Sequence, residues 1–345
     1  MKKKIITCML SAVMVLSLMA SAVSAETSSS KELTVYTPWE DDYATYVFNS
    51  FEEDTGIHVN YIRLGAGEML TRVEAEKENP QATVMFGGGS SYYISATQKG
   101  LLEPYQSSEL SSTPDAYLDP DGYWNPVNVG IICFACNTEW FEDNGYDYPT
   151  SWEDLLDPKY EGEIIMAHPA TSGTAYNVLA TILQLMENDD DAWDYMAALN
   201  KNISQYTKSG TAAPNAVAMG ESAIALTFSH DGLMPAVQGY PVEISFPSEG
   251  TGYEIGATAI IKGGKEEEME NAKLFIDWIT SARGQSTYAE MGYPLVPTNV
   301  KAEVSDGLVT LDQVNVIDFD PVWAGEVKEE YCAIFEEKIA NAPTE

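Results

Sequence analysis

The chain has 345 residues, with 18 Lys and Arg against 53 Asp and Glu, for a formal net charge of −35. That balance repels nucleic acid and anionic membrane surfaces, and no nucleic acid is expected as a partner. The length is enough for two lobes of ordinary domain size.

The chain opens with Lys2, Lys3 and Lys4, followed by an apolar run from Ile5 to about Ala20 and then Val23-Ser24-Ala25. This is the three-part pattern of a secretory signal, predicted over residues 1–25 and removed on export. Thr7, Ser11 and Ser17 interrupt the run, which is short for a bilayer span. Export places the protein in the periplasm or at the extracytoplasmic cell surface. Cys8 lies early in the run, so no lipidated cysteine is expected at the mature N-terminus. The mature chain keeps Cys133, Cys136 and Cys332, and an odd count argues against a complete disulfide framework. Cys133 and Cys136 have the spacing of a redox or zinc motif. They fall in a buried-strand pattern, however, where residues three apart face opposite sides.

Short apolar runs then alternate with helical patterns, which predicts βα units and largely parallel sheets. A strand covers 33–36. Tyr43, Val47 and Phe51 mark a helix stopped by Gly56. A second strand spans 57–63, and Gly65-Ala66-Gly67 opens a helix to about residue 78. A third strand at 83–86 ends in Gly87-Gly88-Gly89. The strand at 127–137 is expected to cross to a second lobe. A short helix follows Tyr148-Pro149-Thr150-Ser151-Trp152, and 164–167 is another strand. Ser172-Gly173-Thr174 opens a long helix with Val178, Leu179, Ile182, Leu183 and Met186 on one face. An apolar strand at 223–229 ends at His230-Asp231, and 241–246 is a further strand. The run 255–261 returns the chain to the first lobe, where a helix over 269–281 packs through Ala272, Phe275, Ile276 and Ile279. Residues 292–299 read as a last linker, and a helix over about 321–339 closes the chain. The fold expected is α/β. One lobe comprises 32–126 and 252–299, and the other 127–251 and 300–345.

Ligands of open α/β sheets sit beyond the carboxyl ends of strands, and the informative loops all occupy that position. Ser172-Gly173-Thr174 offers free N–H groups, hydroxyls and a helix dipole to an anion, although the same residues also make a simple N-cap. Gly65-Ala66-Gly67 forms a second such nest in the other lobe. Thr37-Pro38-Trp39 ends the first strand, with Trp39 a stacking surface for a sugar or a core residue. The glycines at 87–89 allow close backbone approach, or simply a turn. His230-Asp231 suggests either sugar recognition, metal or acid–base chemistry, or a satisfied structural pair. Glu254, at the expected hinge, adds a third polar group able to accept from sugar hydroxyls. Only Arg63, Arg72 and Arg283 carry guanidinium groups, so a bound anion is expected to rely mainly on backbone N–H and hydroxyl donors. No P-loop, G-x-S-x-G or H-E-x-x-H pattern is present. Neither catalytic residues nor a cofactor is expected.

Five stretches resemble the ferric-iron/phosphonate/sugar-phosphate group of ABC-transporter solute-binding proteins. They are Leu33-Thr-Val-Tyr-Thr37, Ala75-Glu-Lys-Glu-Asn-Pro80, Tyr148-Pro-Thr-Ser-Trp-Glu-Asp-Leu-Leu-Asp-Pro158, His168-Pro-Ala-Thr-Ser-Gly-Thr-Ala-Tyr176 and Asn271-Ala-Lys-Leu-Phe-Ile-Asp-Trp-Ile279. The resemblance implies a type II periplasmic binding fold: two lobes with mainly parallel central sheets joined by a crossover hinge. It also implies a monomeric receptor that closes on a small molecule and docks on an ABC permease. His230, Asp231 and Glu254 resemble the sugar contacts of the hexose-phosphate-binding members. Ser172 and Thr174 resemble their phosphate contacts. The expected phosphate set is Thr37, Ala66, Gly67, Ser172, Gly173 and Thr174, and the expected sugar set is Trp39, His230, Asp231 and Glu254. The iron-binding members carry a tyrosine pair where this chain has Gln238-Gly239-Tyr240-Pro241. The alternatives are an organophosphonate, ferric iron held by Tyr92, Tyr93, His230 and Glu254, or an exported metal-dependent phosphatase using His230 and Asp231. The family's receptors in single-membrane bacteria usually bear a lipidated cysteine, and this chain departs from that pattern.

Overall fold

The computed structural model describes residues 31–186, 188–305 and 307–340, so the predicted signal at 1–25 lies outside the described residues. The first half of the fold is a run of βα units, in which short apolar strands lead into amphipathic helices. β1 (Glu32–Thr37) leads to α1 (Asp41–Thr55), which buries Tyr43, Val47 and Phe51 and ends at Gly56 in the left-handed conformation. β2 (His58–Arg63) and α2 (Ala66–Ala75) follow, then β3 (Val84–Gly89), α3 (Ser90–Gln98) and the short β4 (Leu102–Glu103).

β5 (Asn125–Asn137) is buried along its whole length. It leads through α4 (Thr138–Asn144) into a second set of units. These are β6 (Ile164–Ala167), α5 (Gly173–Leu185), α6 (Asp189–Asn200), β7 (Ile203–Thr207), α7 (Ala212–Ala218), β8 (Ile224–Phe228), α8 (Ser229–Val237) and β9 (Val242–Ser245). β10 (Tyr253–Ile261) returns the chain to the first half. There α9 (Met269–Thr280), α10 (Ala282–Glu290) and β11 (Val296–Pro297) follow before α11 (Pro321–Phe335).

The strand order is β2-β1-β3-β10-β5-β8-β6-β7, with β4 on β10 and β9 and β11 on β5. β5 belongs to both halves. Its residues 125–131 pair with β10, and Ile132–Cys136 pair with β8. Parallel pairing is confined to the βα-built triplets β2-β1-β3 and β7-β6-β8. The strands that carry the chain between halves run antiparallel to their neighbours, so the sheet is mixed. Each half has its own apolar core. One gathers Phe48, Phe51, Phe86 and Phe275, and the other Phe134, Trp152, Leu179 and Phe335.

Two local expectations are corrected. His230 and Asp231 do not end a strand: β8 stops at Phe228, and both residues lie in the first turn of α8. Gly87–Gly89 do not form a free turn but finish β3, which runs directly into α3. The elements α6, β7 and α7 have no counterpart in the sequence reading. Asp189, Asp190 and Asp191 open α6 on a polar stretch, with Asn188 as its N-cap, and blur its apolar face.

A buried carboxylate ties the first half together. Glu268 is 4% exposed. It accepts from the Thr34 N–H at 2.8 Å, Thr34 Oγ1 at 2.9 Å, Thr83 Oγ1 at 2.6 Å and Lys265 Nζ at 2.9 Å. Burial alone would push this carboxyl up, but the hydrogen bonds from Thr83, Lys265 and Thr34 outweigh it and hold it below its ordinary value. A depressed folded value gives stability that is present above the unfolded 4.5 and lost as pH falls through the folded one. Glu268→Gln should therefore cost roughly 2–3 kcal/mol in urea unfolding at neutral pH, the scale of a charge-assisted hydrogen bond. The deficit should shrink in acid, where the wild-type carboxyl is itself protonated. A loss below about 0.5 kcal/mol, the range of ordinary surface substitutions, would show that the clasp is dispensable.

Candidate functional site

The carboxyl ends of all six parallel strands converge on one cleft of about 530 Å³, a size suited to a small molecule. From the first half come Pro38, Trp39 and Glu40 after β1, Arg63 to Ala66 after β2, and Gly88 and Gly89 of β3. The second half contributes Thr171 to Thr174 after β6, Lys208 to Thr211 after β7, and Phe228, His230 and Asp231 after β8. Asn128 and Gly130 of β5 and Glu254 and Gly256 of β10 form the floor, where the two crossing strands pair with Glu254 opposite Gly130.

One end of the cleft is built for an anion. α5 begins there with Ser172 as N-cap, its Oγ accepting from the Ala175 N–H at 3.4 Å. α2 begins there too, capped by Gly65 without a side chain. Two helix N-termini thus share one space, each with unpaired N–H groups and a positive dipole end. The loop after β7 closes the same end. A Cβ on Gly210 would lie 2.2 Å from Thr174 Oγ1 and 3.4 Å from Ser172 Oγ, so only glycine lets this loop rest on the hydroxyl pair. Arg63 and Lys208 add positive charge that the sequence reading did not assign. Arg63 is held by Glu40 at 2.5 Å. Lys208 is placed by the β6–β7 pairing, a tertiary feature that no local motif signals.

The other end is aromatic and polar. The His230 ring stacks on Phe228 at 5.3 Å and lies 6.3 Å from Trp39 and 6.5 Å from Tyr293. Its Nε2 is 3.8 Å from Asp231 Oδ1. Burial lowers the imidazole's pKa, against the opposing Asp231 charge. Burial likewise raises the Asp231 carboxyl, against His230 and a hydrogen bond from Tyr293. Burial pushes Glu254 up from 4.5 to about 7, with Lys328 opposing. A Cβ on Gly89 would sit 2.0 Å from the Glu254 carboxyl, so the end of β3 must be glycine to admit it. Trp39 Nε1, Asn128 Oδ1 and His230 Nδ1 are buried here without a protein partner. Buried polar atoms are normally paired, so these three mark where a polar ligand would be recognised.

Eight of the ten sequence-predicted residues line this cleft: Ala66, Ser172, Gly173, Thr174, Trp39, His230, Asp231 and Glu254. Thr37 and Gly67 are not among the lining residues. Thr37 is fully buried, and its Oγ1 accepts the Trp39 N–H at 3.3 Å, which positions the indole. Tyr92 lines the cleft, whereas Tyr93 is fully buried with its hydroxyl donating to the Gly87 carbonyl at 2.8 Å. The adjacent tyrosines therefore serve different surroundings. Among the described residues, no group of three or more His, Cys, Asp or Glu side chains is arranged to hold a metal ion. Contacts also cross the cleft: Thr211 Oγ1 donates to Glu40 Oε1 at 3.5 Å, and Tyr293 pairs with Asp231.

The geometry agrees with what the chain is similar to. A family model for bacterial extracellular solute-binding proteins matches residues 88–322. An uncharacterized Haemophilus influenzae protein is 36% identical over 305 residues, covering 87% of each chain. A Sinorhizobium fredii protein named "Probable ABC transporter periplasmic-binding protein y4fP" is 25% identical over 268 residues, covering 74% of this chain and 72% of that one. The structure of the periplasmic binding protein AfuA from Actinobacillus pleuropneumoniae, with exogenous fructose-6-phosphate bound, has a TM-score of 0.85 and 37% identity. It covers 91% of this chain and 100% of its own. The resemblance read from the sequence and the type II periplasmic binding fold it implied are borne out. The chain belongs to the bacterial extracellular solute-binding proteins, the capture subunits of ABC importers.

Proposed function

We propose that this receptor captures a hexose phosphate, closes two lobes around it and delivers it to an ABC permease. The observation that carries the reading is the division of one cleft into two chemistries. Paired helix N-termini with hydroxyls form one end, and an aromatic and polar box forms the other. A phosphate suits the first and sugar hydroxyls the second. The similarity to a protein with fructose-6-phosphate bound supports the same class of ligand.

In this reading the Ala66, Ser172, Gly173 and Thr174 positions hold the phosphate, Thr37 places Trp39 from behind the wall, and Gly67 lies in the first turn of α2 beside Tyr92. Trp39, His230, Asp231 and Glu254 hold the sugar. The lobes are 32–126 with 252–299 and 127–251 with 300–345, and the separate apolar cores on either side of β5 support that division. A ligand that touches both sides favours the closed population over the open one. The protein acts as an exported monomer and a binder without catalysis.

The protonation of the sugar end links to stability. Glu254 has a folded value near 7, above its unfolded 4.5. Its contribution is therefore full below 4.5 and is lost as pH rises through 7. Asp231 is shifted in the same sense. His230 is shifted oppositely, so its contribution is steady above its unfolded 6.5.

Two outcomes follow. Titration calorimetry should show glucose 6-phosphate binding far more tightly than glucose or inorganic phosphate. His230→Ala or Asp231→Ala should weaken it by about 1–3 kcal/mol, the scale of a lost buried polar partner. Unchanged affinity in both variants would refute the sugar assignment, and preference for aminoethylphosphonate would replace the sugar with an organophosphonate. Separately, the melting temperature of the ligand-free protein should fall between about pH 6.5 and about pH 8, and Glu254→Gln should flatten that slope. A slope of equal steepness in the variant would assign the effect to another group.

A further inference from the structure

α11 reaches the cleft from behind. Its Ala324, Cys332 and Phe335 pack into the second half's core. Yet Gly325 lies so close to α3 that an added Cβ would be 3.5 Å from the Ser91 carbonyl. From this helix Lys328 Nζ extends between two tyrosines. It lies 3.8 Å from the centroid of the Tyr92 ring on α3 and 4.8 Å from that of the Tyr176 ring on α5. It also donates to Tyr92 Oη at 2.5 Å. The Tyr176 hydroxyl in turn donates to the Ala324 carbonyl and holds α11 against α5.

Lys328 is unusual in so acidic a chain. Like Lys208 it is in no ion pair among the described residues, but it alone of the two is held between two tyrosine rings, at the rear of the cleft. Its contacts are two π faces and a phenol, and Glu254 is near enough to feel its charge. Tyr92 occupies the space between the two helix starts. A Cβ on Gly173 would lie 3.4 Å from Tyr92 Oη, and one on Gly67 would lie 3.8 Å from its Cε1. Because Lys328 donates to Oη, the phenolic hydrogen remains available to donate into the cleft.

We infer that Tyr92 is an anion-binding residue whose hydroxyl donates to the ligand's anionic group midway between the two helix N-termini, and that Lys328 is the positioning residue that orients and polarises it. The phenol makes the contact, and the ammonium acts through it by strengthening the O–H as a donor. The three helices involved bring in both sides of the cleft, because α3 follows β3 while α5 and α11 pack in the other core. The pair therefore forms only when the two sides are together, which ties recognition of the anion to closure. The ligand class rests on the hexose-phosphate reading, but the requirement for an anion does not.

The test is titration calorimetry of the wild type, Tyr92→Phe, Lys328→Met, Lys328→Arg and the double variant. The probes are glucose 6-phosphate, inorganic phosphate and aminoethylphosphonate, and ligand-free melting temperatures check that each variant folds. Each of the first two variants should lose roughly tenfold in affinity for the anion that the wild type binds, the effect of one charge-assisted hydrogen bond. The double variant should lose little more than either single one, because the two residues act as a unit. Lys328→Arg should retain most of the affinity. Affinities within about twofold of wild type for both single variants, or losses that multiply in the double variant, would overturn the inference. If glucose 6-phosphate fails to bind while phosphate or aminoethylphosphonate binds with this dependence, the sugar reading falls and the tyrosine–lysine pair stands. If no anion binds the wild type, both fall.

Discussion

The whole arrangement depends on one strand serving two halves. β5 is buried at every position and gives its first residues to β10 and β11 and its later ones to β8 and β9. A strand that changes partners midway fixes how the two parallel triplets face each other, since its backbone hydrogen bonds are committed along both. That constraint turns the carboxyl ends of β1, β2, β3, β6, β7 and β8 toward a single space. It also makes the crossing strands the floor of the cleft, with a separate apolar core on either side.

A second constraint is electrostatic. A chain of net charge −35 must hold its ligand against its own field if that ligand is an anion. The cleft manages this through local groups. Helix starts supply positive partial charge without side chains, Arg63 and Lys208 stand on the wall, and Glu40 is occupied by Arg63. Burial does the rest at the other end. It shifts His230, Asp231 and Glu254 alike toward their neutral forms, and carries Glu254 up to about 7. Groups poised in this way can exchange donor and acceptor roles with hydroxyls, as a polyol requires.

Close approach decides which residue types the site tolerates. The end of β3 and the loop after β7 press against Glu254 and against Thr174 with no space for a side chain. Glycine at 89 and 210 therefore follows from the position of a neighbouring functional group. The glycine-rich run at 87–89 looked like a flexible turn but ends a strand, because the backbone there continues the pairing of β3 with β10 while yielding volume to the floor.

The sequence by itself determined the local units: the βα rhythm, the capped start at Ser172, the glycine-started helix at 66, and the pairing of His230 with Asp231 next to an apolar strand. These are short-range features, legible because periodicity, capping and turn chemistry act over a few residues. The eight cleft residues it identified all sit at such element boundaries. Only the tertiary structure decided that His230 opens a helix, that Thr37 stands buried behind the wall, and that Arg63, Lys208, Asn128 and Tyr293 join the site. It alone brought Lys328 onto Tyr92, 236 residues apart in the chain. The reason is that these relations arise from strand pairing and helix packing across the crossover. No single segment carries that information until β5 and β10 have fixed the two halves face to face.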